Sequence, residues 1–264
     1  MSRKIELQGL SNTRDLGGMR GADGRFIASG RLIRSGQLYN GTAEDIRYFS
    51  DHVSLVVDFR TEDERDEKPD PAIKNVANLS LPIHFNNIVS NMKETADSEE
   101  ETFSSVVRNP QKAKQFMIRA YANLITNDYS VSRYGQFLKL LIKKREKAVL
   151  WHCIGGKDRA GFATVIVQEA LGVDRRDIYT DYIETNKYLA EDNDKLSVMI
   201  SNQLGGMDEK VEKSLHYLFG TEEEYLDTVY QKIQEVYGDY QGFLIKGLNC
   251  DTNECEMLKK NYLV

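Results

Sequence analysis

Apolar positions along this chain fall into two kinds of pattern. Residues 53–59 (VSLVVDF) form a dense β-branched run. Such a run predicts a buried strand, of the kind found in parallel sheets. Residues 76–83 (VANLSLPI) and 148–152 (AVLWH) predict two further strands. Short apolar pieces at Phe26-Ile27 and Leu32-Ile33 follow the turn residues Gly17-Gly18 and Gly21 to Gly24, and together predict a small hairpin. Elsewhere the apolar residues recur at helical spacing. In 111–125 they are Phe116, Ile118, Ala120, Tyr121 and Leu124. In 134–144 they are Phe137, Leu138, Leu141 and Ile142, closing on a basic turn. Residues 159–171 (RAGFATVIVQEAL) predict an apolar helix that Gly172 stops. Residues 175–245 read mostly as helices with Tyr and Leu stripes. Strands alternating with helices predict an α/β fold, with a central, mostly parallel sheet flanked by helices.

One stretch fits neither pattern. Residues 86–110 are polar and acidic, and a loop this long inside a compact domain is usually a cover for a site or disordered. With the helices after it, 86–130 is expected to form a lid-like helical insertion in a single domain spanning 1–264. Composition then narrows the classes. Hydrophobic residues at 41% are enough for a real core, which excludes wholesale disorder. The first ten residues carry cations but no apolar core of a leader, and no run of about 18 apolar residues occurs, so no secretory signal and no membrane span are expected. The expected location is cytoplasmic, with export by a route that leaves no such mark kept open. A net charge of −6 argues against nucleic acid as a partner. Cys153, Cys250 and Cys255 are too few for a disulfide framework. Cys250 and Cys255 have no His or further Cys nearby to make a zinc site, and they read as plain thiols.

The chemistry lies in residues 151–161, WHCIGGKDRAG, between a predicted strand and a predicted helix. Gly155 and Gly156 let the backbone turn several N–H groups inward, and the following helix adds its positive end. The result is an anion cradle of phosphate size, with Cys153 at its base. A thiolate is favoured there, and a thiolate is a nucleophile. Arg159, six residues on, has the planar fork that binds two phosphate oxygens at once. A nucleotide-binding loop is excluded, because Trp151 and Asp158 stand where that motif needs Gly and Ser or Thr. A Cys–His protease pair is disfavoured, because His152 and Cys153 are neighbours on an extended segment and point opposite ways. His152 reads instead as bonding backbone and shaping the loop.

HCIGGKDRAG resembles the H-C-x5-R signature of the protein tyrosine phosphatase superfamily, in the HCxxGKDR form of its bacterial tyrosine-phosphatase-like family. The resemblance extends over nearly the whole chain. It includes Asn12-Thr13-Arg14-Asp15-Leu16-Gly17-Gly18, Arg34-Ser35-Gly36, Val57-Asp58-Phe59-Arg60-Thr61 with Glu64, Asp181-Tyr182-Ile183 with Thr185-Asn186, and Tyr237-Gly238. It implies a cysteine-phosphatase fold and hydrolysis of phosphate monoesters through a phosphocysteine, with no metal or cofactor. Cys153 is then the nucleophile and Arg159 the clamp. The amides of Ile154, Gly155, Gly156 and Lys157 line the cradle, and Lys157 adds its charge. The implied partner is phosphotyrosine protein first and a phosphoinositide second. Ile154 stands where the 3-phosphatases of phosphoinositides have another lysine.

Two departures follow from the same comparison. Ala160 replaces the Thr or Ser whose hydroxyl assists the leaving thiolate. After Leu81-Pro82-Ile83, where some relatives carry an aspartate, this chain has His84, Phe85, Asn86 and Asn87. The general acid is therefore open. Asp158 is the first candidate, against a plain ion pair with a neighbouring arginine. Asp58 is the second, against a structural cap with Arg60. His84 is a third. Arg14 and Asp15 are expected to pair and brace the loop. A sulfurtransferase and a phosphate-ester-binding protein with weak turnover remain as other classes.

Overall fold

Strands bury alternate residues on opposite faces, and that period decides how this sheet is covered. The computed structural model describes residues 3–85, 103–143 and 146–264. Its strands are β1 (Arg3–Lys4), β2 (Arg14–Asp15), β3 (Leu32–Ser35), β4 (Val53–Asp58), β5 (Ala77–Ser80) and β6 (Ala148–His152). They form one mixed sheet in the order β1-β2-β3-β6-β4-β5. β3, β6, β4 and β5 run parallel, and β2 and β1 are added antiparallel at one edge. Every residue of β6 is buried, as an unbroken apolar run in mid-sheet requires.

The helices in chain order are α1 (Ala43–His52), α2 (Glu62–Glu67), α3 (Phe103–Val107), α4 (Pro110–Thr126), α5 (Asp128–Ile142), α6 (Arg159–Ala170), α7 (Arg175–Ile183), α8 (Thr185–Tyr188), α9 (Ala190–Leu204), α10 (Glu209–Phe219), α11 (Glu223–Tyr237), α12 (Tyr240–Gly242) and α13 (Thr252–Tyr262). A π-helical turn, Phe243–Gly247, continues α12. On one face of the sheet Ile33, Val56, Ala148 and Leu150 pack with Phe49 of α1. On the other, Leu32, Leu55, Val57, Val149 and Trp151 meet the much larger helical layer. α6 is the centre of that layer. Its residues are buried nearly all round, which explains a sequence apolar on every side. Gly172 ends it with φ 72°, and the amides of Gly172 and Val173 close back onto the last turn. Among the described residues, no helix is long and apolar enough to cross a membrane.

Two expectations change. Leu32-Ile33 and Phe26-Ile27 do not form a hairpin with each other. β3 is buried in full and pairs with β2 and β6, while Phe26 exchanges backbone bonds of 2.9 Å with Val264 at the C-terminal end. α5 begins at Asp128, a turn and a half before residue 134, because Asn127 caps Ser130. Residues 103–130, expected within a lid-like insertion, carry core side chains. Val106, Phe116, Met117, Tyr121 and Leu124 are buried, and α4 packs on α10 and α11. Residues 86–102 of that insertion lie outside the described residues.

Candidate active site

Parallel strands place their carboxyl ends at one edge, and the loop from β6 to α6 opens there. Cys153 follows β6 directly and is 2% exposed. The loop is held from outside through its carbonyls. The Ile154 carbonyl accepts from Gln37 N–H at 2.7 Å, Gly155 from Asn12 Nδ2 at 2.9 Å, and Gly156 from Arg34 Nη2 at 2.6 Å. A peptide plane sets its N–H opposite its carbonyl. With three carbonyls bonded on one side, the amides of Gly155, Gly156 and Lys157 point to the opposite side of the loop. Gly156 is required here. Its φ is +70°, and a Cβ would lie 2.5 Å from the Ser35 carbonyl. The end of β3 with Gln37 and the segment at Asn12 are thus the outer wall of the loop.

Arg159 opens α6 and is buried. Glu64 of α2 accepts from both ends of its fork, at 2.6 Å and 2.9 Å, and the Phe59 carbonyl lies at 3.4 Å. Burial works against the charge of Arg159, but the Glu64 bonds and the neighbouring Cys153 outweigh it and hold the guanidinium firmly cationic. Burial also raises the Glu64 carboxyl, and the Arg159 bond and charge more than reverse this, leaving it below the usual range. Glu64 is fixed in turn by a reciprocal cap, in which it accepts from Thr61 N–H while the Thr61 hydroxyl accepts from Glu64 N–H. The sequence motif contained Glu64 without giving it a task.

Lys157 does not face the cradle. Its amine donates to the carbonyls of Leu218 and Gly220 at 2.9 Å and 3.1 Å, at the end of α10, and lies 3.1 Å from Asp158 Oδ1. A buried ammonium needs several acceptors, and a helix C-terminus offers them. The partner of Asp158 is therefore this lysine, not an arginine. Tyr121 of α4 also donates to Asp158 Oδ1 at 2.7 Å, and Tyr182 donates to Tyr121 at 2.8 Å. Burial first, then the Asp158 charge, push the Tyr121 phenol well up, so it stays a donor.

Arg14 and Asp15 do not brace the loop as a pair, because neighbours on a strand point to opposite faces. Arg14 bonds Asp181 and Thr185, and Arg34 lies 3.6 Å from the other Asp181 oxygen. Burial and the Arg14 charge bring the Arg34 guanidinium down to about 9, against the opposing charges of Asp181 and Cys153. Asp15 accepts from the amides of Gly17 and Gly30. Asp58 sits on Arg60, which donates to both of its oxygens. His84 is exposed beside the Tyr129 ring. His152 Nδ1 lies 3.1 Å from the Cys153 carbonyl, and Nε2 lies 2.9 Å from Asp70, a residue the sequence did not single out. Ala160 is buried, and its carbonyl accepts from Trp151 Nε1 and the Thr164 hydroxyl. Cys250 and Cys255 are buried with their sulfurs 3.5 Å apart, away from this loop in sequence.

The sequence pattern of the family described as "Tyrosine phosphatase family" matches residues 5–264. A protein of Cupriavidus necator named "Putative tyrosine-protein phosphatase" is 29% identical over 258 residues, which cover 96% of this chain and 86% of that protein. The triple specificity protein phosphatase PtpB of Mycobacterium tuberculosis is 30% identical over 140 residues, covering 50% of this chain and 49% of that protein.

Proposed function

We propose, on the premise that the chain belongs to the tyrosine phosphatase family and is a phosphoric monoester hydrolase, that it dephosphorylates phosphotyrosine protein through Cys153. The supporting observation is the loop after Cys153, whose three carbonyls are all bonded away on one side, followed by the buried Arg159 fork that Glu64 holds. In the first step the Cys153 sulfur attacks phosphorus in line. The P–O bond to the phenol breaks as the P–S bond forms. The amides, the N-terminus of α6 and Arg159 hold the equatorial oxygens, where charge spreads. In the second step water attacks phosphorus, the P–S bond breaks, and the thiolate and inorganic phosphate are released.

Asp158 supplies the proton to the leaving oxygen in this reading. Its two bonds both fall on Oδ1, from Tyr121 and Lys157, which leaves Oδ2 for the substrate. Asp58 is not proposed for this task, since Arg60 occupies both of its oxygens. Lys157 favours phosphotyrosine over a phosphoinositide. Its charge is used on the end of α10 and does not reach a second phosphate group.

The test is phosphate release in excess EDTA from a phosphotyrosine peptide, a phosphoserine peptide and phosphoinositides. Wild type is expected to turn over the phosphotyrosine peptide fastest, and Cys153→Ser to lose all turnover. Equal rates in Cys153→Ser would overturn the cysteine mechanism, and faster phosphoinositide release would overturn the substrate order.

A further inference from the structure

Cys250 and Cys255 read from sequence as plain thiols, yet the fold brings them into contact. Their sulfurs lie 3.5 Å apart and buried, in the turn that opens α13. The local sequence explains the meeting. Asp251 caps α13 and exchanges bonds with Glu254. Asp251 N–H donates to the Glu254 carboxylate at 3.0 Å, and Glu254 N–H donates to the Asp251 carboxylate at 2.8 Å. That reciprocal cap fixes residues 251–254. Cys250 stands just before the cap and Cys255 is the fourth residue of the helix, the two positions whose side chains pack together across a helix start. Neighbouring segments hold both sides. Cys250 N–H donates to the Leu244 carbonyl of the π-helical turn at 2.9 Å, and Glu254 pairs with Lys139 of α5 at 3.2 Å.

Packing alone would be served by any two small apolar residues. Two thiols add a reaction. A disulfide needs its sulfurs about 2.0 Å apart. The shift from 3.5 Å is within reach of a rotation about the Cα–Cβ bonds, so the backbone can stay where the cap holds it. The two sulfurs are also unlike. The bond from Cys250, helped by the Lys259 charge one turn on, outweighs burial and draws the Cys255 thiol below its usual value. The bond to Cys255, then burial, push the Cys250 thiol well up. Cys255 is thus the sulfur that loses its proton. It is also the one nearer solvent, 7% exposed against 0% for Cys250. A low thiol beside a second thiol is the arrangement of an attacking and a resolving cysteine.

We propose that Cys250 and Cys255 are a dithiol site that a hydroperoxide oxidises to an intramolecular disulfide, apart from Cys153. The proposal does not depend on the reading of Cys153 as nucleophile. With hydrogen peroxide, the Cys255 thiolate attacks one peroxide oxygen. The O–O bond breaks, an S–O bond forms, and the hydroxide that leaves takes the Cys250 proton and becomes water. The Cys250 sulfur then attacks the Cys255 sulfur. The S–S bond forms, the S–O bond breaks, and the second hydroxide takes a proton from solvent. The two sulfurs together give up two electrons, and the peroxide accepts them. The product ties the start of α13, which packs on α5 and α6, to the segment that follows the π-helical turn.

Peptide mapping of the folded, full-length wild-type protein tests this, since trypsin separates this pair from Cys153. Cleavage after Lys246 and Lys259 puts Cys250 and Cys255 in one peptide, 247–259, and cleavage after Lys147 and Lys157 puts Cys153 in another, 148–157. The protein is treated with a small excess of hydrogen peroxide at neutral pH, then unfolded and alkylated with iodoacetamide. Peptide 247–259 is expected to carry neither alkyl group and to have lost two hydrogens. Dithiothreitol before alkylation returns both groups. Cutting the oxidised peptide after Glu254 should leave two fragments that stay joined until reduced. In Cys250→Ser, which lacks the resolving thiol, dimedone is expected to capture the Cys255 sulfenic acid. Three results overturn the proposal: peptide 247–259 fully alkylated after peroxide, a loss of label that dithiothreitol does not reverse, or a bridge from this peptide to 148–157. The wild-type map decides whether or not Cys250→Ser folds. Failure of the phosphatase reading shows elsewhere, as turnover that survives in Cys153→Ser.

Discussion

Ala160 is the residue whose chemistry departs most from what the signature loop expects. A hydroxyl at that position would donate to the thiolate as it leaves phosphorus. Here the side chain is a methyl group, and the nearby Thr164 hydroxyl already donates to the Ala160 carbonyl at 2.8 Å. Tyr134 is close by, but its hydroxyl donates to the Arg159 carbonyl. On the proposed mechanism, the second step therefore lacks that donor and should limit turnover. Rapid mixing with a phenyl phosphate ester is expected to show a burst of phenol matching the enzyme concentration, followed by a slow steady rate. Ala160→Ser adds the donor with one extra atom. It should speed the steady rate about tenfold, the worth of one hydrogen bond of ~1.4 kcal/mol, and shrink the burst. An unchanged burst in Ala160→Ser would place the slow step elsewhere. A bulkier Ala160→Thr is a poorer probe, since overpacking a filled site costs about 1–3 kcal/mol.

At the scale of elements, α2 is a short helix whose position sets the Arg159 fork. It runs for six residues with none buried, so its packing energy is small and its cap matters. Thr61 and Glu64 cap it reciprocally, and Glu64 then holds Arg159. The two roles of Glu64 can be separated. Thr61→Ala should cost about 1 kcal/mol of stability and leave the Arg159 fork in place, with kcat/KM close to wild type. Glu64→Gln should lose on the order of a hundredfold in kcat/KM through misplacement of the fork. Equal losses in both variants would mean that the helix, not the carboxylate, orients Arg159. What the sequence revealed follows the same division. The strand at 148–152 and the helix at 159–170 were legible because each is dominated by apolar residues, and the loop between them carries a dense motif. α1 was not legible, since AEDIRYFSDH is mostly polar and buries little besides Phe49. The orientation of Lys157 left no signal at all. Its partners are the carbonyls of Leu218 and Gly220, and every residue has a carbonyl. Asp70 was hidden for a related reason. Its contacts with His152 and Arg60 exist only once β4, β6 and the 68–71 turn have been brought together.

For the molecule as a whole, carboxylates held by buried cations tie stability to pH. Glu64 and Asp70 both lie below their usual range when folded, because Arg159 in one case and His152 with Arg60 in the other outweigh the effect of burial. A depressed folded value means that the unfolded chain binds protons more readily. The stabilisation is then complete above the unfolded carboxyl range, about pH 4. It is lost as pH falls through the lower folded values. The melting temperature of wild type should therefore be level from neutral pH to about pH 5 and drop steeply below about pH 4. Glu64→Gln gives the sign a direct check. It leaves Arg159 without its counter-charge, so it should melt below wild type at neutral pH. The gap should close as acid protonates Glu64 in the wild type, because both proteins then carry a neutral side chain at that position. A gap that stays constant down to about pH 3 would show that the loss comes from packing and not from the ion pair. Charge pairing at the clamp and behind the loop would then have to be separated, and the same scan on Asp70→Asn would do so, since its carboxylate answers to His152 and not to Arg159.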